Sequence, residues 1–294
     1  MKKCVPCNHS LGGPLRIHLR IYGGGGTIHH ALPTTHYAPI MTNPRYRLAV
    51  EARLHQSIAV LLEGNAAHYL THVLRLGVGE AIALFNREEG EWLARITQIR
   101  KREVMLAVEE RLRAPEEKLG LTVCFAPIKG GRMETIIEKA TELGASVLQP
   151  VITARTIVTK VNLERAEAIA REAAEQCERI DWPEIREPVK LLNLLGNWPS
   201  DVPLIYGDES GTSASVLELG AGAKPQQWAI LAGPEGGFTP EEFAALKHLK
   251  AARGVSLGPR ILRADTAVIT LAVATLQRWG DWDRRPRFVA EGEI

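Results

Sequence analysis

The chain has 294 residues, 45% of them hydrophobic and 24% charged, which is the composition of an ordinary globular protein. Its length fits two domains, and no stretch approaches the roughly 18 consecutive apolar residues of a transmembrane helix. The net charge is +2, but Lys2, Lys3, Arg16 and Arg20 fall in a forty-residue segment without acidic side chains, so residues 41–294 carry −2. This balance excludes a generally basic nucleic-acid binder and confines any contact with nucleic acid to local patches.

The first forty residues do not follow the pattern of a folded domain. They hold five of the nine histidines and the run Gly23–Gly26, without a sustained helical or strand period. The glycine run lacks the Lys-Ser/Thr of a phosphate-binding loop, and the segment has no apolar core typical of a secretory signal. We expect residues 1–40 to be a disordered extension, with Met41 as the natural beginning, and its deletion to leave folding and activity intact.

Four cysteines in a chain of this length provide no disulfide framework. Cys4 and Cys7 have the spacing of half a zinc site or of a redox motif, with His9 nearby, but no second pair of this kind follows in the sequence. Two unpaired thiols in a mobile tail are the simpler interpretation, and we expect no metal site.

Residues 41–113 consist mostly of short apolar runs separated by turns, which predicts a small β-barrel-like domain. A helix is expected at Asn65–Leu74, with Asn65 as its N-cap. Residues 114–120 are polar, contain a proline and are expected to form a linker. The predicted strands are Ser57–Leu62, Ala81–Phe85, Glu91–Ile99 and Val104–Glu109.

From Leu121 onward strands and helices alternate, which predicts an α/β domain over residues 121–283 with a mainly parallel sheet covered on both faces. Residues 284–294, with Arg284, Arg285 and Arg287, are expected to form an exposed tail. The predicted strands are Leu121–Ala126, Val147–Val151, Val202–Tyr206, Trp228–Ala232 and Val255–Leu257. The predicted helices are Arg132–Leu143, ending at Gly144, then Leu163–Arg179, Thr239–Leu249 and Asp265–Gln277.

The stretch Gly233–Gly237, with the sequence GPEGG, is the most informative part of the chain. It joins an apolar strand to a helix start, at which Thr239 is a natural N-cap, Pro240 lies in the first turn and Glu242 completes a capping box. Glycines let the backbone approach a ligand closely, and open α/β sheets bind ligands beyond the carboxyl ends of their strands. A plain strand-to-helix turn needs neither three glycines nor a glutamate, so a binding loop is favoured.

A second stretch, Leu257–Ala267, places LGPRILRADTA after another strand end. Arg260 and Arg263 are candidates for holding a phosphate or orienting a base. Local reasoning favours Asp265 as the N-cap of the following helix, with a carboxylate that takes part in a reaction as the alternative.

Together these two stretches resemble the RsmE family of 16S rRNA uridine N3-methyltransferases, a branch of the SPOUT class. Gly233–Gly237 matches the family's GPEGG, and Leu257–Ala267 matches L-G-x-R-I-L-R-x-E-T-A except at Asp265, where the family carries glutamate. The resemblance spans about residues 43–280, and residues 1–40 match nothing in the family. The further matches, in the family's order, are Arg45-Tyr46, His68–Arg75, Lys129–Glu134, Glu138–Gly144 and Ala173–Arg179.

The resemblance implies a SPOUT-type α/β domain with a C-terminal trefoil knot, preceded by a PUA-like β-barrel, in a cytoplasmic homodimer. It also implies that S-adenosylmethionine binds in the knot, and that the partner is 16S rRNA or the small ribosomal subunit. The implied donor-binding residues lie in the loops around Tyr206–Glu209, Gly233–Gly237 and Leu257–Leu262: Tyr206, Gly207, Leu231, Ala232, Gly233, Pro234, Glu235, Gly236, Gly237, Leu257, Gly258, Ile261 and Leu262.

Methyl transfer to N3 of uridine requires removal of the N3 proton, and therefore a positioned base and an aligned geometry. Asp265 and Glu235 are the two candidate bases, and Glu235 has bracing of its loop as the alternative role. Arg263 is the candidate for stabilising charge on the uridine oxygens. The candidate RNA contacts, each with a solvated surface charge as its alternative, are Arg45, His68, Arg75, Lys129, Arg132 and Arg155.

Three alternatives stay open at this point. Another SPOUT methyltransferase would act on tRNA or on a ribose oxygen, and assays on isolated tRNA and on small subunits would separate it from the first hypothesis. A non-catalytic RNA-binding or assembly factor with the same fold would not bind the methyl donor. A generic nucleotide-binding α/β protein has neither a GxGxxG fingerprint nor a P-loop to support it.

Overall fold

A computed structural model of the chain describes residues 44–219 and 223–284. The expected extension at residues 1–40, with Cys4, Cys7 and His9, lies outside the described residues, and so does the expected tail beyond Arg284. Within the described ranges, no helix is long and apolar enough to cross a membrane.

The N-terminal part forms a five-stranded sheet with one helix: β1 (Arg47–Ala49), β2 (Ala59–Glu63), α1 (Gly64–His68), β3 (Ala81–Asn86), β4 (Gly90–Arg100) and β5 (Glu103–Arg113). The strand order is β1-β3-β4-β5-β2, and all pairs are antiparallel except β1 with β3. Three register shifts along β4 mark bulges, which bend a strand and curl the sheet. Alternate side chains such as Val60, Leu84 and Leu106 point into one apolar core.

Two expectations for this sheet were wrong in detail. Strand β1 was not predicted, because three residues are too few to show an alternating pattern. The helix expected at Asn65–Leu74 is a short α-helix that continues as a π-helical turn, Tyr69–Val73. Asn65 is not its N-cap, because Gly64, with φ +56°, turns the chain from β2 straight into the helix and the cap position falls on Glu63.

The second sheet has seven strands, all in parallel pairs, in the order β12-β10-β11-β6-β7-β8, with β9 also paired to β7. Its strands are β6 (Leu121–Phe125), β7 (Val147–Ile152), β8 (Glu184–Ile185), β9 (Val189–Lys190), β10 (Leu204–Gly207), β11 (Trp228–Ala232) and β12 (Ala252–Val255). The helices are α2 (Gly131–Glu142), α3 (Leu163–Gln176), α4 (Leu191–Gly196), α5 (Pro240–His248) and α6 (Ala264–Trp279).

Helices cover both faces of this parallel sheet, as predicted. Ile230 of β11 packs into a core with residues of α2, α3 and α6, while the next residue, Leu231, packs into a second core with residues of α4 and α5. Successive strand residues point to opposite faces, so a strand buried on both sides is apolar throughout. This explains why the run Trp228–Ala232 was placed correctly from the sequence.

One predicted helix cap is confirmed and another is wrong. The capping box of α5 is confirmed: Thr239 Oγ1 accepts from the Glu242 backbone at 3.3 Å, and Glu242 Oε2 accepts from the Thr239 backbone at 2.9 Å. Asp265 is not the N-cap of α6. Arg263 occupies that position, and Asp265 lies in the first turn, where Oδ1 accepts from Thr266 N at 2.9 Å.

Other element bounds also differ from the expectations. Helix α3 ends at Gln176 rather than at Arg179, since Glu178 has φ +63° and breaks the helical path. Strand β12 ends at Val255, so Leu257 belongs to the loop that follows it. The short elements β8, β9 and α4 were not predicted.

The two sheets meet at the C-terminal end of α3. Arg47 of β1 donates to the carbonyls of Glu175 at 2.9 Å and Arg179 at 2.7 Å, and Arg113 of β5 donates to the carbonyl of Glu178 at 2.9 Å. Both arginines also pair with the buried carboxylate of Glu91. Cations at a helix C-terminus satisfy its last carbonyls and oppose its dipole, so this junction joins the two sheets by charge as well as by packing.

Candidate functional site

The strand order brings five loops to one edge of the parallel sheet. Strands β12, β10, β11, β6 and β7 are consecutive neighbours and run in the same direction, so the segments that follow their carboxyl ends lie side by side. Those segments begin at residues 256, 208, 233, 126 and 153. They contain every predicted donor-binding residue that does not lie within a strand. Lys129, Arg132 and Arg155 lie in or directly after the same segments.

The end of β10 and the loop that follows it lie against two of the other loops. A β-carbon built on Gly207 would lie 3.7 Å from Leu257 Cδ1, which brings the end of β10 against the loop after β12. Gly237 has φ +68°, and a β-carbon there would lie only 1.8 Å from Glu209 Oε1. Glycine suits this position because of its positive φ, and a side chain there would push the Glu209 carboxylate aside. We call residues 233–237 the donor loop, after the role that the sequence predicts for it.

The three glycines of the donor loop are constrained to different degrees. A β-carbon on Gly233 would lie 2.9 Å from Phe238 Cζ, a ring that packs in the core beneath the loop. Gly236 is less constrained, since a β-carbon there would meet Arg155 Cβ at 3.4 Å, which is ordinary contact. Gly237 closes a tight turn by donating its N–H to the Pro234 carbonyl at 2.9 Å.

Several predicted donor-binding residues are buried in the sheet, so they offer backbone rather than side chain. Leu231 and Ala232 end β11 inside the core, and Pro234 is buried. Tyr206 is also buried, and burial, with a smaller effect of the Asp208 charge, raises the pKa of its phenol. Leu257 and Leu262 are half-buried, whereas Ile261 is 96% exposed and closes no apolar slot in this chain.

The loop after β10 is shaped by Asp208, a residue that the sequence did not single out. Its carboxylate is buried and accepts from Ser210 N at 2.8 Å and from Ser213 Oγ at 2.5 Å. Burial alone would raise the pKa of Asp208, but these hydrogen bonds outweigh it and lower the pKa. The turn presents Glu209 to the donor loop.

The two candidate bases have different surroundings. Glu235 forms an ion pair with Arg132, which lies at the start of α2. Asp265 is half-buried in the first turn of α6, and Arg263, two residues earlier, is exposed. Because Arg132 already engages the Glu235 carboxylate, whereas Asp265 Oδ1 bonds the backbone of its own helix, the geometry favours Asp265 over Glu235.

The six candidate RNA contacts separate into two groups. Lys129, Arg132 and Arg155 lie at the loop edge of the parallel sheet, and two of them contact the donor loop: Arg132 through Glu235, and Arg155 through the Gly236 carbonyl at 2.6 Å. The other three lie in the N-terminal part, outside the strands of the first sheet. There Arg45 lies over the Tyr46 ring at 5.3 Å, His68 stacks on His72 at 4.4 Å, and Arg75 has φ +57°.

Sequence reasoning missed the residues that join separate elements. Arg47, Glu91 and Arg113 form the junction between the sheets, and no local motif marks them. Glu242 was assigned to a capping box, but its second oxygen also accepts from Ala154 N at 2.7 Å. In the described part of the chain, no group of three or more His, Cys, Asp or Glu side chains is arranged to hold a metal ion.

Comparison with known proteins identifies the class of protein that this fold and site define. The family model described as "RNA methyltransferase domain" matches residues 115–277. The model described as "RNA methyltransferase PUA domain" matches residues 62–109. The ribosomal RNA small subunit methyltransferase E of Rickettsia conorii is 34% identical over 235 residues, which is 80% of this chain and 96% of that protein. The protein of the same name from Synechocystis is 34% identical over 237 residues, 79% of this chain and 77% of its own length.

Solved structures agree with the sequence matches. A methyltransferase from Legionella pneumophila, in complex with bound S-adenosylmethionine, has a TM-score of 0.71 and 30% identity, covering 79% of this chain and 97% of its own. A ribosomal RNA small subunit methyltransferase E from Neisseria gonorrhoeae, bound to S-adenosylmethionine, has a TM-score of 0.71 and 29% identity, covering 81% and 99%. This chain belongs to the ribosomal RNA small subunit methyltransferase E family, which confirms the predicted family, and the mainly parallel α/β sheet preceded by a PUA-like domain is confirmed as well.

Proposed function

We propose that this chain transfers a methyl group from S-adenosylmethionine to N3 of a uridine in 16S ribosomal RNA, and that the donor binds among the loops after β10, β11 and β12. The observation that carries the proposal is the position of β10 and its loop against the other two loops, with Glu209 against Gly237 and Gly207 against Leu257. Two proteins of similar fold were crystallised with this donor.

The residues present fit such a donor. Gly207 and Gly233 are half-buried and Gly236 is exposed, so backbone is accessible along this edge of the sheet, where an adenine ring finds hydrogen-bond partners. Leu257 and Leu262 offer half-buried apolar surface for the ring faces. The exposed carboxylate of Glu209, beside Gly237, is a suitable acceptor for ribose hydroxyls or for the ammonium of the amino-acid part.

The chemistry requires one proton to leave N3 before that nitrogen is a good nucleophile. When bound, S-adenosylmethionine supplies an electrophilic methyl group on a sulfonium. Asp265 is the proposed acceptor of the N3 proton, and Arg263 stabilises the negative charge that develops on the uridine oxygens. Glu235, held by Arg132, braces the donor loop. Since N3 lies on the Watson–Crick edge, the target uridine must be unpaired or flipped out.

Docking of the RNA is assigned to both halves of the molecule. Arg45, His68 and Arg75 in the N-terminal part are proposed to contact the RNA away from the reacting base, and Lys129 to contact phosphate near the donor loop. The domain division at residues 114–120, a trefoil knot, a homodimer with the donor site near its interface, and a cytoplasmic location complete the proposal. The domain division rests on the polar, proline-containing sequence of residues 114–120, and the other three rest on the family resemblance.

The experiment that tests the proposal is titration calorimetry with S-adenosylmethionine on the wild type and on Gly237→Ala. The alanine is strained at φ +68° and displaces Glu209, so the Kd should rise at least about tenfold. Gly64→Ala is the matched control, because Gly64 also has positive φ but a β-carbon there meets nothing within 4 Å. It should leave the Kd unchanged.

The same protein samples are then assayed for methylation of RNA. Wild-type protein, S-adenosylmethionine and small ribosomal subunits lacking the modification should yield 3-methyluridine, detected by mass spectrometry of the digested RNA. Methylation of isolated tRNA instead would move the enzyme to another substrate class. Absence of donor binding in the wild type, with and without RNA, would contradict the proposal.

A further inference from the structure

Arg155 lies directly after β7 and reaches across to the donor loop. Its Nη1 donates to the Gly236 carbonyl at 2.6 Å and to the Phe238 carbonyl at 3.4 Å. The aliphatic part of the same side chain runs along the loop, since the β-carbon position of Gly236 is 3.4 Å from Arg155 Cβ and Cδ. One side chain thus contacts two peptide groups of the strand-to-helix connection.

The backbone that carries Arg155 is itself fixed. Ala154 N donates to Glu242 Oε1 at 2.7 Å, and Thr153 N donates to Thr156 Oγ1 at 2.9 Å. Glu242 is buried, and its other oxygen accepts from the N-cap of α5, Thr239. The loop after β7 and the start of α5 are therefore joined through one carboxylate, which sets the point from which Arg155 extends.

We infer that Arg155 is a positioning residue for the donor loop rather than a contact for RNA. A glycine-rich segment has many accessible conformations, and a charge-assisted hydrogen bond to the Gly236 carbonyl fixes the peptide plane between Gly236 and Gly237. That plane sets the direction of the Gly237 N–H, which closes the turn onto Pro234, and the approach of Gly237 to Glu209. The inference rests on the proposed function, because it takes the donor to bind at this loop.

The test compares Arg155→Ala, Arg155→Lys and Lys129→Ala. Arg155 and Lys129 both add a positive charge at the same edge of the sheet, but only Arg155 contacts the donor loop. For Arg155→Ala the Kd for S-adenosylmethionine should rise about tenfold, as expected on loss of a charge-assisted hydrogen bond. Arg155→Lys keeps one donor and should recover about half of that loss on a logarithmic scale.

Binding to a 16S RNA fragment and steady-state rates complete the measurement. Arg155→Ala should leave the Kd for RNA within about twofold of wild type and raise the KM for S-adenosylmethionine more than it lowers kcat. Lys129→Ala should leave the Kd for the donor unchanged. Thermal melts show whether each variant is folded. If Arg155→Ala is unfolded, the donor Kd of Arg155→Lys, which keeps the charge and most of the side chain, decides the test.

Two outcomes overturn the inference. Unchanged donor affinity in a folded Arg155 variant would exclude positioning, and weaker RNA binding with an unchanged donor Kd would return Arg155 to the RNA contacts. Failure of the proposed function is a different result, because the wild type itself would then not bind S-adenosylmethionine.

Discussion

Two clusters in this molecule pair glutamate with arginine in opposite surroundings. At the junction of the sheets, the Glu91 side chain is 6% exposed and is held between Arg47 and Arg113. At the donor loop, the Glu235 side chain is 54% exposed and pairs with Arg132, which is 39% exposed. Water screens the second pair much more than the first, so the same chemistry holds the junction strongly and braces the donor loop weakly.

The largest effect is expected from Glu91→Ala at the junction. It would leave two guanidinium groups partly buried without their carboxylate, and breaking such a pair from one side costs about 3–5 kcal/mol in the free energy of unfolding. Urea denaturation measures this. The control is Glu109→Ala, which removes an exposed carboxylate from Arg95 on the same strand pair and should leave the midpoint nearly unchanged. Equal urea midpoints for Glu91→Ala and Glu109→Ala would show that the buried pair stabilises the protein no more than the exposed pair does.

The next effect separates the carboxylates at the loop edge. Asp265→Asn should lower kcat at least about 100-fold, because the amide cannot accept the N3 proton, while the Kd for S-adenosylmethionine stays within about twofold. Glu235→Gln should lower kcat less than about tenfold, since the glutamine still reaches Arg132. Single-turnover methylation of small subunits is the measurement. The reverse order of the two losses would make Glu235 the base.

A smaller effect is expected from Arg132→Met. The exposed pair with Glu235 should change the free energy of unfolding by less than about 1 kcal/mol, and added salt should reduce even that difference. Denaturation curves at low and high ionic strength test it. If Arg132→Met lowered the free energy of unfolding as much as Glu91→Ala does, the donor loop would be a structural junction of the same kind.

The smallest effect concerns pH and the junction carboxyl of Glu175. Burial raises its pKa, and this outweighs the hydrogen bond from Ala49 N at 2.9 Å and the nearby charge of Arg47. A raised carboxyl pKa favours the folded state at low pH, and that contribution is lost as pH rises through the folded pKa. Glu175→Gln, which still accepts from Ala49, should therefore have the higher Tm at pH 7, with the difference shrinking towards pH 4. A difference in Tm that stays constant between pH 4 and pH 7 would contradict a raised pKa for Glu175.

The sequence allowed the donor loop and the α5 cap to be located because both are encoded locally. Three glycines, a threonine N-cap and a proline within eight residues determine that turn with little help from the rest of the fold. Strand β11 was equally clear, since a strand buried on both faces is a continuous apolar run.

The contacts that make the loop a site could not be found in this way. Arg132 and Glu235 are 103 residues apart, and Arg155 and Gly236 are 81 apart. No local pattern links such positions, so both arginines were interpreted as surface cations facing RNA. For Asp265, local reasoning favoured the N-cap and this was wrong, because α6 begins at Ala264 and its N-cap is Arg263; the role of the carboxylate in the reaction stays a prediction.

The parallel pairing of β6 with β11 has a consequence for how the chain acquires its structure. Leu121 pairs with Trp228, so a loop of about one hundred residues must close before the central strands meet, and such closure delays folding. The first sheet pairs β3, β4 and β5 in succession, with short turns between them. During synthesis on the ribosome, the N-terminal sheet can form while the edge that holds the donor loop still lacks half of its strands. Catalytic competence is thus the last property that the growing chain attains.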